Sequence, residues 1–224
     1  MKFIMVYSGG KDCTLALDRM IAKGHEPVCL FTTATRKQLN FKHGIRQEIF
    51  RQYEDCLGIP VRFSYGDSVH EKSTIFRDMK EIIEETGATA ICTGDIYRAD
   101  VYEWNRTMAD RLGVELMTPL WEEPAEKLLN ELLDKGFKCL IKVVRTDRLS
   151  VDYLGRFLDR KVLTSFPETV DLCGEDGEYH TIVLDGPVFR HPLKVRPGRI
   201  LSGDDVAMLD LFAGSPDNNP GTDT

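Results

Sequence analysis

The chain lacks several features that mark large classes of protein. It has no uninterrupted apolar run of membrane-spanning length, so we expect no transmembrane segment and no membrane partner. Its net charge of −7 gives little attraction to nucleic acid, so a nucleic-acid partner is not expected. The chain opens on a predicted strand rather than on the charged and apolar regions of a secretory signal, so we expect no signal peptide.

Closely spaced cysteine pairs are also absent. The six cysteines are scattered, and none forms the C-x-x-C pair that is typical of zinc sites and thiol redox sites. Most fall in predicted strands or helices, where cysteine commonly acts as a small core residue. Reduced, partly buried thiols are typical of the cytoplasm, which is therefore the expected location.

Two common nucleotide-binding motifs are missing, the Walker A pattern G-x-x-x-x-G-K-[ST] and the dinucleotide fingerprint G-x-G-x-x-G. A different glycine loop, SGGKDC (residues 8–13), joins strand formers at 2–7 to a helical pattern at 13–23. Its glycines allow a tight turn and close approach of backbone N–H groups, and the helix N-terminus adds partial positive charge. The glycine loop therefore predicts a phosphate or pyrophosphate site. The alternative is a plain strand-to-helix turn with Asp12 as the helix N-cap.

Predicted strands and helices alternate through the first part of the chain, up to a sixth strand at 137–144. Residues 45–57, for example, follow helical spacing and end before a glycine. Alternation of this kind predicts an α/β fold, a parallel doubly wound sheet with helices on both faces. Ligands bind such a sheet outside the carboxyl ends of its strands. Polar residues and glycines at these ends include Thr32, Thr33, Gly66, Asp67, Gly94 and Asp95.

The pattern changes after about residue 145. We expect a nucleotide-binding domain over 1–145 and a smaller α+β C-terminal domain over 146–214, with strands at 179–184 and 188–195. The last ten residues, 215–224, have no apolar content and predict a disordered tail. A basic cluster after the second strand is interpreted as a solvated face or as a holder of an anionic substrate; it comprises Arg36, Lys37, Lys42, His43 and Arg46.

A second polar cluster, GEDGEYHT, occupies residues 174–181 and is called the acidic segment below. It combines three acids with two glycines just before a predicted strand. Acids on a glycine-bent loop are suited to ligating Mg²⁺ or to holding an amine. The alternative is an exposed acidic turn.

Taken together, the motifs carry a family resemblance. The glycine loop resembles the SGGxD[ST] loop of the PP-loop ATP pyrophosphatases, which cleave ATP between its α and β phosphates; Cys13 stands where Ser or Thr is usual. Between residues 3 and 189 the landmarks occur in the order of the diphthine–ammonia ligase family, which the chain therefore resembles. Besides the glycine loop they are GDI (94–96), PLW (119–121), IKVV (141–144), CGEDGEYHT (173–181) and DGPVF (185–189). The segments HGIRQE (43–48) and GDI are similar to bacterial relatives.

The resemblance implies an adenine nucleotide α-hydrolase-like domain, a family-specific C-terminal domain and ATP-dependent amidation. In the family, ATP and Mg²⁺ activate a carboxylate as an acyl-adenylate with release of pyrophosphate, and ammonia then displaces AMP. The family's acid is diphthine, a modified histidine on translation elongation factor 2, so this factor and ammonium are the implied partners. Because residues 97–104 depart from the Ser-Asp-Tyr-Gln-Arg-like stretch of relatives that act on diphthine, another carboxylate or a thiolation target is an alternative acceptor. Oligomerisation is left open.

The chemistry and the resemblance together suggest roles for the candidate residues. In the nucleotide site, Ser8, Gly9 and Gly10 are expected to bind phosphate through a hydroxyl and backbone N–H groups, Lys11 to neutralise it, and Asp12 to orient Mg²⁺. Thr32 and Thr33 are expected beside the adenine, with Gly94 and Asp95 along the nucleotide edge. In the C-terminal part, Glu175, Glu178 and His180 are expected to hold and deprotonate ammonium or to contact the acceptor.

Two rival functions share the glycine loop. A tRNA-modifying thiolase requires a basic RNA surface or catalytic C-x-x-C cysteines, and the sequence has neither. A nucleotide-binding stress-type sensor without turnover has no need of a second polar cluster, so the acidic segment favours the ligase.

Overall fold

The computed structural model describes residues 1–34, 44–66 and 72–214, with the side chain of Lys72 excepted. Three features of the sequence lie outside these residues: Asp67 at the end of the third strand, most of the basic cluster (residues 36–43) and the predicted tail (residues 215–224). Within the described ranges, no helix combines the length and the apolar character needed to cross a membrane.

The first sheet is parallel, as the alternating pattern predicted, and it has five strands in the order β3-β2-β1-β4-β5. The order reverses between β1 and β4, and at such a switch point the strand ends leave a crevice for a ligand. The elements of this sheet are β1 (Lys2–Val6), α1 (Lys11–Ala22), β2 (Glu26–Ala34), α2 (Gln47–Leu57), β3 (Val61–Tyr65), α3 (Lys72–Thr86), β4 (Ala90–Cys92), α4 (Ala99–Leu112) and β5 (Glu115–Met117).

Helices cover both faces of the parallel sheet because its strands are apolar on both sides. Along β1, Phe3 and Met5 pack into one hydrophobic cluster with α1 and α2, while Ile4 between them packs into a second cluster with α3 and α4. Helix α2 buries one apolar stripe and ends at Gly58, whose φ of +68° is the left-handed conformation that suits glycine. The doubly wound α/β prediction is therefore confirmed.

The second sheet is antiparallel, with the order β7-β6-β9-β8. Its strands are β6 (Lys138–Arg145), β7 (Tyr179–Asp185), β8 (Val195–Ser202) and β9 (Val206–Ala213). Helix α5 (Ala125–Asp134) precedes β6, and a 3-10 turn (Val151–Tyr153) and the short helix α6 (Arg160–Thr164) lie between β6 and β7. This sheet contributes to the same hydrophobic cluster as Phe3 and Met5, so it packs against the α1 and α2 side of the first sheet.

The prediction that residues 137–144 continue the parallel sheet is wrong. These residues form β6, which pairs with β7 and β9 in the second sheet. Nearly all of β6 is buried, and a strand covered on both faces has the same continuous apolar pattern whether its neighbours are parallel or antiparallel. The prediction of a strand at 188–195 is wrong: only Val195 of these residues lies in a strand, β8, which pairs with β9. Strand β9 was not predicted.

The division into two domains stays a proposal. A boundary after residue 145 would separate β6 from the two strands to which it is hydrogen-bonded. We therefore propose that the boundary lies between β5 and β6.

Candidate functional site

The glycine loop bends sharply between β1 and α1. Gly9 has a φ of +79°, and a Cβ atom on it would lie 3.0 Å from Ile45 Cδ1 and 3.2 Å from the Tyr53 ring. Both the conformation and the close packing require glycine at this position. The Ser8 hydroxyl accepts a hydrogen bond from the Gly10 N–H at 3.3 Å, and the expected contacts of Ser8, Gly9 and Gly10 with phosphate stay predictions.

Helix α1 begins at Lys11, with Gly10 as its N-cap; Gly10 has no side chain to cap the helix, and the Lys11 N–H donates to Thr181 Oγ1. The alternative interpretation of Asp12 as the N-cap is therefore wrong, because the chain enters the helix two residues earlier and Asp12 lies in the first turn. The N-terminus of a helix carries a partial positive charge that can attract an anion. The loop and α1 together have the form of a phosphate site.

Strand β7 of the second sheet fixes the glycine loop in place. The Val183 N–H donates to the Gly9 carbonyl at 2.9 Å, and the Lys11 N–H donates to Thr181 Oγ1 at 3.0 Å. The buried Tyr53 hydroxyl donates toward the carbonyls of Gly9 and Val183, at 3.2 Å and 2.7 Å. Two motifs that are far apart in the sequence are therefore in direct contact.

Lys11 is buried and links the glycine loop to Cys173, the residue just before the acidic segment. Its Nζ donates to both oxygens of Asp12, at 3.0 Å and 2.7 Å, and to the Cys173 carbonyl at 2.5 Å. Burial lowers the pKa of the Lys11 amine, but the Asp12 carboxylate and other neighbours outweigh it and raise the pKa well above its ordinary value. Lys11 is thus held as a cation beside the loop; its expected contact with phosphate stays a prediction.

The residues around Asp12 do not fit a metal ion held by protein ligands alone. Both Asp12 oxygens already accept hydrogen bonds from Lys11. Within the described part of the chain, no three His, Cys, Asp or Glu side chains lie close enough together to hold a metal ion. The expected Mg²⁺ role of Asp12 stays a prediction, and no chemical step below depends on it.

The ends of β4 and β2 border the glycine loop, as expected for the carboxyl edge of the sheet. A Cβ atom on Gly94 would lie 2.6 Å from the Cys13 nitrogen, so glycine at this position lets β4 approach the backbone of α1. Asp95 accepts from Thr93 Oγ1 at 2.8 Å and from Asn105 Nδ2 at 2.6 Å. Burial raises the pKa of Asp95 in spite of these two hydrogen bonds.

Thr32 and Thr33 lie at the carboxyl end of β2, next to β1. Thr32 is buried and Thr33 is half-buried, and the preceding residue Phe31 accepts a backbone hydrogen bond from Tyr7 at 2.8 Å. The structure thus places both threonines at the same sheet edge as the loop. Their contact with adenine, and the nucleotide contacts of Gly94 and Asp95, stay predictions.

Glu175 is brought to the glycine loop although it is far from it in the sequence. Burial raises the pKa of the half-buried Glu175 to about 7, with Asp12 and Asp95 adding to the rise and Lys11 opposing it. Arg98 Nη1 donates to the Glu175 carbonyl at 3.0 Å and fixes the backbone. A carboxyl group that titrates near neutrality is suited to acid–base catalysis.

Glu178 is buried, so the interpretation of the segment as an exposed acidic turn does not hold for it. Only 3% of its surface is exposed. One oxygen, Oε1, accepts from the Asp171 N–H at 3.0 Å, and the other, Oε2, has no hydrogen-bond partner among the described residues. Glu178 lines an open cleft of about 540 Å³ beside the start of α5.

His180 lies on β7 between two residues that face the glycine loop and the core. Tyr179 and Thr181 are buried, whereas His180 is half-buried. Since side chains alternate along a strand, His180 points to the opposite face of β7 from Thr181. The structure therefore separates His180 from the side of the strand that holds the loop, and its expected role with ammonium stays a prediction.

Asp171 organises the acidic segment and was not among the predicted site residues. Its Oδ1 accepts from the backbone N–H groups of Cys173 at 2.9 Å and Glu175 at 3.1 Å. Its own N–H binds Glu178. An Asp that precedes a glycine by three residues, as Asp171 precedes Gly174, is a turn signal that could have identified it.

Two family models match the chain. The model described as the diphthamide synthase N-terminal domain matches residues 1–116, and the one described as the diphthamide synthase C-terminal domain matches residues 124–211. The family resemblance predicted from the landmarks is thereby confirmed. A solved structure described as a predicted subunit of tRNA methyltransferase from Methanocaldococcus jannaschii shares 19% identity over 62% of this chain and 77% of that chain, with a TM-score of 0.41.

Curated relatives named diphthine–ammonia ligase are similar to most of the chain. The relative from Schizosaccharomyces pombe is 26% identical over 240 residues, which are 95% of this chain and 39% of that protein. The relative from Saccharomyces cerevisiae is 23% identical and covers 85% of this chain and 34% of that protein. The human relative is 24% identical over 95% of this chain and 88% of that protein. The chain therefore spans well under half of the length of the two yeast relatives.

Proposed function

The chain belongs to the diphthamide synthase family, since the two domain models match most of its length, and we propose that it is an ATP-dependent, AMP-forming ligase that makes an amide. One observation carries this proposal. The glycine loop and the acidic segment meet, through the hydrogen bonds of Lys11 to Thr181 and Cys173. A phosphate site beside one carboxyl group whose pKa is about 7, that of Glu175, is what a two-step amidation requires.

The first step takes place at the glycine loop. The α-phosphate of ATP lies against the N–H groups at the start of α1, with the Ser8 hydroxyl beside it. An acceptor carboxylate oxygen bonds to the α-phosphorus, and the bond to pyrophosphate breaks. Loop N–H groups and the helix N-terminus stabilise the negative charge that develops on the phosphate. The product is an acyl-adenylate held next to the acidic segment.

The second step takes place between the loop and the acidic segment. Ammonia bonds to the acyl carbon, the bond from that carbon to the AMP oxygen breaks, and AMP leaves with the electron pair. Ammonium must first lose a proton, because its nitrogen has no free electron pair. Glu175 is the proposed base, since its pKa of about 7 allows it to accept that proton near neutral pH.

The acceptor is proposed to be diphthine on an elongation factor, because the relatives from fission yeast and human are named diphthine–ammonia ligase. A cytoplasmic location is proposed with it. The six cysteines are all free, as is usual where thiols are kept reduced. The elongation factor would approach the carboxyl edge of the parallel sheet, where the loop and Glu175 lie.

Product analysis tests the proposal. The purified chain is incubated with ATP, ammonium and an elongation factor that carries diphthine, and the nucleotides are separated by chromatography. We expect AMP and pyrophosphate in equal amounts, formed only when the modified factor is present. Release of ADP and phosphate, or AMP formation that is independent of the modified factor, would contradict the proposal.

A further inference from the structure

An acidic cleft lies beside the acidic segment, which contributes Asp176 and Glu178 to its lining. It is open to solvent, has a volume of about 540 Å³, and lies between the start of α5 and residues 168–178. Half of its lining residues carry a carboxyl group, and among the described residues of the lining there is no lysine or arginine. These acids are Glu126, Glu168, Asp171, Asp176 and Glu178. The cleft therefore attracts cations and repels ATP and pyrophosphate.

Glu178 supplies a second and independent observation, which concerns hydrogen bonding rather than charge. Only 3% of the residue is exposed, and its Oε2 is buried without a hydrogen-bond partner among the described residues. Its Oε1 is already satisfied by the Asp171 N–H. A buried acceptor left without a donor is costly, and proteins seldom retain one without a reason. Oε2 therefore calls for a small ligand that donates an N–H or O–H.

Charge and hydrogen bonding together define the ligand. A cation is favoured by the acids of the lining, and Glu178 Oε2 requires a donor of an N–H or an O–H. A metal ion does not fit, because no three ligating side chains in the described ranges lie close enough together. A quaternary ammonium group has no N–H to donate. A small ammonium ion meets both requirements.

We propose that this acidic cleft binds ammonium, the nitrogen donor, with Glu178 Oε2 accepting one of its N–H groups. The proposal rests on the proposed function for the use of the nitrogen, but the binding itself does not depend on turnover.

The hydrogen bonds of Asp171 connect the cleft to the reacting centre. The Asp171 N–H holds Glu178 on the cleft side, and Asp171 Oδ1 holds the backbone of Glu175 on the loop side. Asp171 is thus hydrogen-bonded to both residues, and in the proposed route ammonium passes from Glu178 to Glu175. There it gives one proton to the Glu175 carboxylate and becomes ammonia, whose electron pair forms the bond to the acyl carbon as AMP leaves. The surplus proton on the new amide nitrogen passes to water.

A binding experiment tests the proposal without turnover. Thermal unfolding of the purified chain is measured in ammonium chloride and in tetramethylammonium chloride at equal concentration, since only the first cation donates an N–H. We expect the midpoint temperature of unfolding to be higher in ammonium chloride than in tetramethylammonium chloride, because a bound ligand stabilises the folded chain. The Glu178→Gln variant should lose this difference, and Glu81→Gln on the exposed face of α3, which removes the same charge, should keep it. Equal responses of all three proteins would overturn the proposal.

A kinetic experiment measures the same site in the reaction. For Glu178→Gln we expect the KM for ammonium to rise about ten- to a hundredfold, the effect of losing a charged hydrogen bond, while the affinity for ATP stays the same. Asp176→Asn, at the exposed rim of the cleft, should raise this KM by a smaller factor and provides a second variant if Glu178→Gln folds poorly. An unchanged KM for ammonium in both variants would exclude the cleft as the ammonium-binding site. Failure of the wild-type chain to form AMP would reject the proposed function, and the thermal measurement would still decide on the cleft.

Discussion

The glycine loop and the acidic segment both contain two glycines, yet they are stabilised by different forces. Gly9 is held by uncharged groups, the Val183 N–H and the Tyr53 hydroxyl, and by packing against Ile45. The acidic segment is held by charged groups, Lys11 at the Cys173 carbonyl and Asp171 at the N–H of Glu175. The difference indicates that the structure of the glycine loop depends on shape, whereas that of the acidic segment depends on charge and therefore on pH.

Removing the charge of the proposed base should have the largest effect. Glu175→Gln keeps the shape of the side chain but abolishes proton transfer, so amide formation should fall by about 10² to 10⁴. ATP affinity should change little, because the glycine loop is left intact. Single-turnover amide formation and calorimetric ATP titration measure the two quantities. A variant that forms amide at the native rate would remove Glu175 from the mechanism.

Changing the shape of the glycine loop should instead weaken the binding of ATP. Gly9→Ala places a methyl group against Ile45 and Tyr53 and disturbs the phosphate site, so ATP should bind about ten- to a hundredfold more weakly, as expected for a lost charged hydrogen bond. Gly24 is a matched control, since its φ is also +79° and a Cβ atom on it would meet nothing within 4 Å. Gly24→Ala should cost about 1–2 kcal/mol of stability from backbone strain and leave ATP affinity unchanged. Equal losses of ATP affinity in the two variants would show that strain alone, and not the site, is responsible.

The charge dependence of the acidic segment should appear in the pH dependence of stability. The pKa of Glu175 is raised from 4.5 to about 7 by burial first of all. The unfolded chain therefore loses this proton at lower pH than the folded chain, and ionisation destabilises the folded state progressively between pH 4.5 and about 7. The free energy of unfolding of the Glu175→Gln variant should equal that of the native chain below this pH window and exceed it by about 1–3 kcal/mol above the window. Urea unfolding at several pH values measures the difference; a constant difference across the window would contradict the shift.

Removing the uncharged hydrogen bonds that Tyr53 makes to the glycine loop and to β7 should have the smallest effect. Tyr53→Phe removes the hydroxyl that bridges the carbonyls of Gly9 and Val183, and we expect the free energy of unfolding to fall by about 1–2 kcal/mol at every pH. Tyr153→Phe is a control, because it removes a hydroxyl that bonds the Ser165 carbonyl in an exposed position. A loss for Tyr53→Phe that varied strongly with pH would contradict the division into an uncharged half and a charged half.

Local sequence patterns predicted the strand and the helix on either side of the glycine loop. Strand β1, the glycine loop and α1 follow from a short apolar run, two glycines and a helical pattern, all within the first 22 residues. The alternative interpretation of Asp12 as the N-cap was wrong, because α1 begins at Lys11 and Gly10 is its N-cap. The end of α2 at Gly58 was likewise predicted from local signals.

Long-range packing could not be predicted in the same way. The pattern of β6 is apolar throughout, and nothing in it distinguishes a parallel sheet from the antiparallel one in which it lies. The burial of Glu178, and the proximity of Glu175 to Asp12, depend on how the second sheet packs against the first. Gly94 was assigned to the nucleotide, but its close neighbour in the structure is the backbone of α1, which no local signal indicates.

Isotope transfer from the acceptor to AMP tests the central claim most directly. The acceptor carboxylate is labelled with ¹⁸O, and the products of the reaction with ATP and ammonium are analysed by mass spectrometry. In the acyl-adenylate route the carboxylate oxygen that bonds to the α-phosphorus stays with it, so we predict one ¹⁸O atom in AMP and none in pyrophosphate. Unlabelled AMP, or label recovered in phosphate together with ADP, would contradict the account.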